Sequence, residues 1–95
     1  MRRAPRIDAN QPEIVEALRA IGATVQTLAA VGDGCPDLLV GWMGRNLLLE
    51  VKDGSKPQSQ QRLNDRQLRW HREWRGRVTT VSSVEEALEV LGVVV

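Results

Sequence analysis

The sequence predicts a compact α/β sandwich around a mixed sheet, in the order helix, strand, hairpin, helix, strand, helix. Two observations carry that expectation. Stripes of apolar residues at helical spacing alternate with short runs rich in β-branched residues. In the middle of the chain, two apolar runs flank a brief glycine-bearing turn, which is the pattern of a β-hairpin.

Residues 1–9 read as a flexible basic arm, with arginines at 2, 3 and 6. Asn10 then suits an N-cap, Pro12 is tolerated in a first turn, and Glu13 stands where a capping box wants its acid. Ile14, Ala17, Leu18 and Ile21 form one buried stripe, and Gly22 stops the helix. Ala23 to Leu28 is a strand candidate, and Gly32-Asp33-Gly34-Cys35-Pro36 is a turn cluster. The apolar runs Asp37 to Trp42 and Leu47 to Lys52 follow, separated by Met43-Gly44-Arg45-Asn46. Residues 53–61 are polar and contain Gly, Pro and two serines, so they read as a flexible loop.

A second helix is expected from about Arg62 to Arg75, ending at Gly76. Its stripe is Leu63, Gln67, Trp70 and Trp74, which sends the two tryptophans into the core and leaves His71 on the surface. Val78 to Val81 is another strand. Ser83-Val84-Glu85-Glu86 reads as a second capping box, opening a short helix through Leu91 that closes at Gly92. For Val93 to Val95 an edge strand, core packing and a partner contact all stay open.

One domain spans 1–95, and its 42% apolar and 26% charged residues are ordinary for a globular protein. No apolar run approaches the roughly 20 residues that a membrane crossing needs. Polar residues follow the first arginines where a signal peptide would be apolar, so the expected location is cytoplasmic. A single cysteine, Cys35, and a single histidine, His71, exclude an internal disulfide and a His/Cys metal cluster. A bound metal must therefore be held by oxygens, which points to Mg²⁺, Mn²⁺ or Ca²⁺. Net charge is only +1, but arginine and lysine gather at 2 to 6, 52 to 56 and 62 to 77, which is compatible with a nucleic-acid partner.

The hairpin gathers the reactive side chains. With Gly44-Arg45 as the turn, Asp37 lies opposite Lys52 and Leu39 opposite Glu50, so Asp37, Glu50 and Lys52 share one face at one end. Leu38, Val40, Trp42, Leu47, Leu49 and Val51 form the other face, which is apolar and must be core. Two acids on adjacent strands repel and lose hydration, and a divalent cation resolves both problems. Such an ion polarises a phosphodiester and lowers the pKa of water, while Lys52 stabilises developing charge. The bland alternative is a solvated pair of strand-end acids with Lys52 as their salt-bridge partner.

Pro36-Asp37 and, after twelve intervening residues, Glu50-Val51-Lys52 resemble the motif of the PD-(D/E)XK nuclease superfamily. From about Asn10 to Leu91 the chain looks like the small stand-alone VRR-NUC type of phages and bacteria, related to archaeal Holliday junction resolvases. The resemblance implies a restriction-endonuclease-like three-layer sandwich, a mixed central β-sheet flanked by helices. It implies Asp37, Glu50, the Val51 carbonyl and Glu13 as metal ligands, Lys52 as catalytic lysine, and Mg²⁺ or Mn²⁺ as cofactor. Gly32 and Gly34 would let backbone approach DNA, and Gln67 would stand next to the active site. The expected activity is a homodimeric endonuclease on branched DNA such as four-way junctions or flaps, in the host cytoplasm if the chain is phage-encoded.

Glu13 keeps two roles open, cap and ligand. Arg66, Arg69 and Lys56 are candidate phosphate contacts or simply solvated charges. The competing reading of the whole is an inactive DNA- or protein-binding module of the same fold.

Overall fold

The computed structural model describes residues 7–93. The arginines at 2, 3 and 6 and the last two valines lie outside the described residues. Helix α1 (Gln11–Ala20) is followed by strands β1 (Thr24–Thr27), β2 (Leu38–Trp42) and β3 (Arg45–Val51), helix α2 (Asp65–Glu73), strand β4 (Val78–Val81) and helix α3 (Val84–Leu91). The sheet order is β1-β2-β3-β4, with the first two pairings antiparallel and β3-β4 parallel. This is the mixed sheet the sequence predicts, with helices on both faces. Ile14 and Leu18 of α1, with Ala87, Leu88 and Leu91 of α3, cover the face that carries Leu38, Val40, Leu49 and Val51. Helix α2 lies against the opposite face, where Gln67 and His71 meet Glu50.

The hairpin turn differs from expectation by one residue. Its two-residue loop is Met43-Gly44, with Trp42 paired to Arg45 and Leu38 to Leu49. Both loop residues have positive φ, 48° and 77°, the pattern of a type I′ turn whose twist matches the strands. Gly44 adopts that backbone freely at the second position, where the expected Gly44-Arg45 loop would have put a β-carbon. Sliding the loop by one residue moves every pair by two, so each side chain keeps its face. The pairing ends at Leu38–Leu49, and Asp37 lies just beyond it, bonded to Leu49 and Val51 rather than set across from Lys52.

Both ends of α1 fall where expected, but Asn10 does not cap it. Its side chain spans instead to the Lys52 carbonyl at 2.9 Å and the Ser82 carbonyl at 3.0 Å, tying α1 to the ends of the parallel strands. At α3 the Ser83 hydroxyl accepts from the Glu86 N–H at 3.1 Å, while the Glu86 carboxylate reaches the Ser82 N–H at 2.7 Å. Gly92 closes α3 with φ 84°, and Val93 packs on the core.

Helix α2 is shorter than expected because Asn64 starts it. The Asn64 side chain accepts from the Gln67 N–H and the Gln67 side chain accepts from the Asn64 N–H, both at 2.9 Å, a complete capping box. The preceding loop contains a 3₁₀ turn at Gln58–Gln60, and its Asp53 is buried and bonded to Ser55. No residue of α2 is buried, and Trp74 is 46% exposed, so the tryptophans are not core. They stack on each other at 4.6 Å.

The turn yields a stability test. Met43 is exposed and holds a left-handed backbone that asparagine adopts more readily. Met43→Asn is expected to stabilise the fold by about 0.5–1 kcal/mol in urea titration. A loss of stability would show that the side chain, not the turn, matters there.

Candidate active site

Asp37 follows the buried Pro36 and is fixed through its backbone, its N–H donating to the Leu49 carbonyl at 3.1 Å and its carbonyl accepting from Leu28 N–H at 2.8 Å. Its carboxylate accepts from the Val51 N–H at 2.7 Å. That bond holds Asp37 against the end of β3, where Glu50 points to the α2 side.

Glu50 is only 1% exposed. Burial, reinforced by a hydrogen bond to Asp37 and by its charge, pushes the Glu50 carboxyl up to about 9, with Lys52 opposing. The Glu50 carboxyl therefore keeps its proton at neutral pH. Glu50 Oε2 accepts from Gln67 Nε2 at 3.3 Å, but Oε1 has no hydrogen-bond partner. His71 Nε2 stands 3.5 Å from Oε1 and is itself unpartnered. Burial first, and Lys52 second, lower the His71 pKa, so this contact joins neutral groups and is not an ion pair.

Gln67 links the site to its helix. Its Oε1 accepts from Lys52 Nζ at 2.9 Å as well as from the Asn64 N–H, and its amide nitrogen donates to Glu50. Gly34 secures the same helix from below: a β-carbon there would lie 2.3 Å from the Arg66 carbonyl oxygen, and its φ is 83°. The close approach at Gly34 is thus to α2 backbone, whereas Gly32, at φ 75°, has open space around it.

The structure brings together Asp37, Glu50, Lys52 and Gln67 of the residues the sequence singles out, with Val51 contributing its N–H. Glu13 is elsewhere. It is exposed on a groove lined also by Asn10, Asp53, Ser55 and Ser83. Among the described residues no three His, Cys, Asp or Glu side chains converge to hold a metal. The additional acid that feels the site is Asp8, whose pKa is raised by burial and by Asp37 against the pull of Lys52. Arg66, Arg69 and Lys56 are exposed, free to meet a polyanion. Sequence reasoning missed Asp8, which it gave to the arm, and His71, which it gave to the surface. His71 follows Gln67 by four residues, so helical spacing already puts both on one face.

The raised Glu50 pKa makes stability depend on pH. The folded state holds the proton that the unfolded state releases near 4.5, so this contribution is complete below that pH and lost as pH rises toward about 9. In EDTA, Glu50→Gln is expected to gain on the wild type by on the order of 3 kcal/mol between pH 4.5 and 7. Parallel stability–pH profiles for the two proteins would refute a buried Glu50 that holds its proton.

No family model matches the chain, and no curated protein matches it. A solved structure described as a VRR_NUC domain does match, at 31% identity and a TM-score of 0.62, over 86% of this chain and 89% of the other. Likeness of that degree and extent, with Asp37, Glu50 and Lys52 gathered at one end of the hairpin, makes the chain a member of the VRR-NUC family of nuclease domains.

Proposed function

We propose that the protein is a metal-dependent endonuclease that hydrolyses phosphodiester bonds in DNA. The observation that carries this reading is the unpartnered Glu50 oxygen, buried beside Asp37 and within the network of Lys52 and Gln67. A buried carboxylate oxygen without a donor is costly unless a cation or proton meets it. The donor set is all oxygen, which fits Mg²⁺ or Mn²⁺, with Asp37 and Glu50 as the residues that would hold the ion. The ion would supply charge neutralisation at the phosphodiester and activation of water.

The protein groups have separate tasks. The Val51 N–H fixes one Asp37 oxygen, and Gln67 fixes Glu50, so neither carboxylate has to reorganise. Lys52, held by Gln67, presents a positive charge to the developing charge on phosphate. Arg66, Arg69 and Lys56 add sequence-independent attraction to the backbone. Branched DNA as substrate, a homodimer as the working form and the cytoplasm as its place belong to this proposal. No described helix is long and apolar enough to cross a membrane.

A binding module with an inactive site is the second reading, favoured by the absence, among the described residues, of a third converging acid. Cleavage of a labelled panel (four-way junction, flap, splayed arm, nicked and plain duplex) with Mn²⁺ separates the two. Asp37→Ala, Glu50→Ala and Lys52→Ala are each expected to lower the rate by at least about a hundredfold while the proteins stay folded. Folded wild type that binds DNA equally well in EDTA and cuts nothing would establish the module.

Proton release gives a second test. A cation must displace the proton on Glu50, so the half-saturating Mn²⁺ concentration should fall with rising pH, approaching tenfold per unit between pH 6 and 8. A flat dependence would separate the metal from Glu50.

A further inference from the structure

One face of helix α2 carries Gln67 and His71 to Glu50. Next to them Trp70, half-buried on α2, stacks at 4.6 Å and an 18° interplanar angle on Trp74, the residue that ends the helix. Trp74 is 46% exposed. Trp70 also meets His71 edge-on at 6.1 Å. Ring contacts therefore run from His71, beside Glu50, through Trp70 to the partly exposed indole of Trp74, which also lies close to Gly76.

The charge around this platform identifies its occupant. Residues 62 to 77 carry six arginines and only two acids, Asp65 and Glu73. All six arginines are exposed, and none forms an ion pair among the described residues. A second copy of the chain docked here about a twofold axis would set arginine clusters against each other. A nucleic-acid strand meets the same surface with opposite charge, and an unpaired base matches an exposed indole. Paired bases in a duplex keep their faces stacked inside and cannot use it.

We infer that Trp74, backed by Trp70, is a stacking platform for an unpaired base of the DNA substrate, held beside the cleavage site by the arginines of α2. This rests on the nuclease reading for its substrate and names the feature recognised: single-stranded character next to the bond that is cut. Trp74 acts in binding, apart from the carboxylates.

The test is equilibrium binding in EDTA, where cleavage is silent, read by fluorescence anisotropy. The probes are an oligothymidylate, a splayed arm, the same splayed arm with abasic unpaired nucleotides, and blunt duplex. Trp74→Ala should weaken binding to the first two by on the order of tenfold, leave the duplex within about twofold, and be largely rescued by Trp74→Phe. Abasic arms should cost wild type a similar factor and erase the difference between wild type and Trp74→Ala. That wild-type comparison decides even if the alanine variant fails to fold. Equal losses on duplex and splayed arm, or no penalty from abasic arms, would overturn the platform. So would a Trp74→Phe dimer that falls apart in sedimentation, which would make the face an interface between copies. Base-dependent binding without Mn²⁺-dependent cleavage would sink the nuclease reading alone, and cleavage indifferent to unpaired bases would sink the platform alone.

Discussion

The site is organised by the cost of burying one carboxyl group. Glu50 alternates with Leu49 and Val51 on a strand whose other face is core, and α2 closes over it until only 1% remains exposed. Water cannot solvate its charge there, so protein groups must. Asp37, Gln67, Lys52 and His71 come from the start of β2, from α2 and from the end of β3, and each is oriented toward that one side chain or its neighbours. The proton that Glu50 retains and its unpartnered oxygen are what this set leaves unsatisfied.

Gln67 couples secondary structure to chemistry. The same amide oxygen that completes the helix cap with Asn64 also receives Lys52, while the amide nitrogen turns to Glu50. Starting the helix and positioning the lysine are thus one event. Gly34 adds a steric condition, since only a residue without a β-carbon lets the loop before Asp37 lie on the α2 backbone. A helix with no buried residue can be well placed because polar and steric contacts at its first two turns set its position.

The fold and the centre of the site were legible because strand alternation is robust. The loop register was misplaced by one residue, yet Asp37, Glu50 and Lys52 still shared an end, since a shift of two in pairing preserves faces. Asp8 and Asn10 were illegible for the opposite reason. Their roles depend on the N-terminal segment reaching the ends of β3 and β4, a long-range contact that local pattern does not encode. Trp70 and Trp74 were misread because size and apolarity suggest burial, whereas α2 is anchored by polar contacts and leaves them out. Glu13 illustrates the limit of motif spacing: it has the expected place in the helix, but the helix directs it to another groove.

Asn10 has a consequence for how the molecule assembles. Its two bonds join positions 42 and 72 residues apart in the chain, to carbonyls at the ends of two strands that are adjacent only once the crossover through α2 is complete. Such a stitch pays its loop-closure entropy late, after the hairpin has formed and the parallel strand has docked. It therefore acts as a latch on the finished fold, contributing to how slowly the native state opens and little to how fast it is reached.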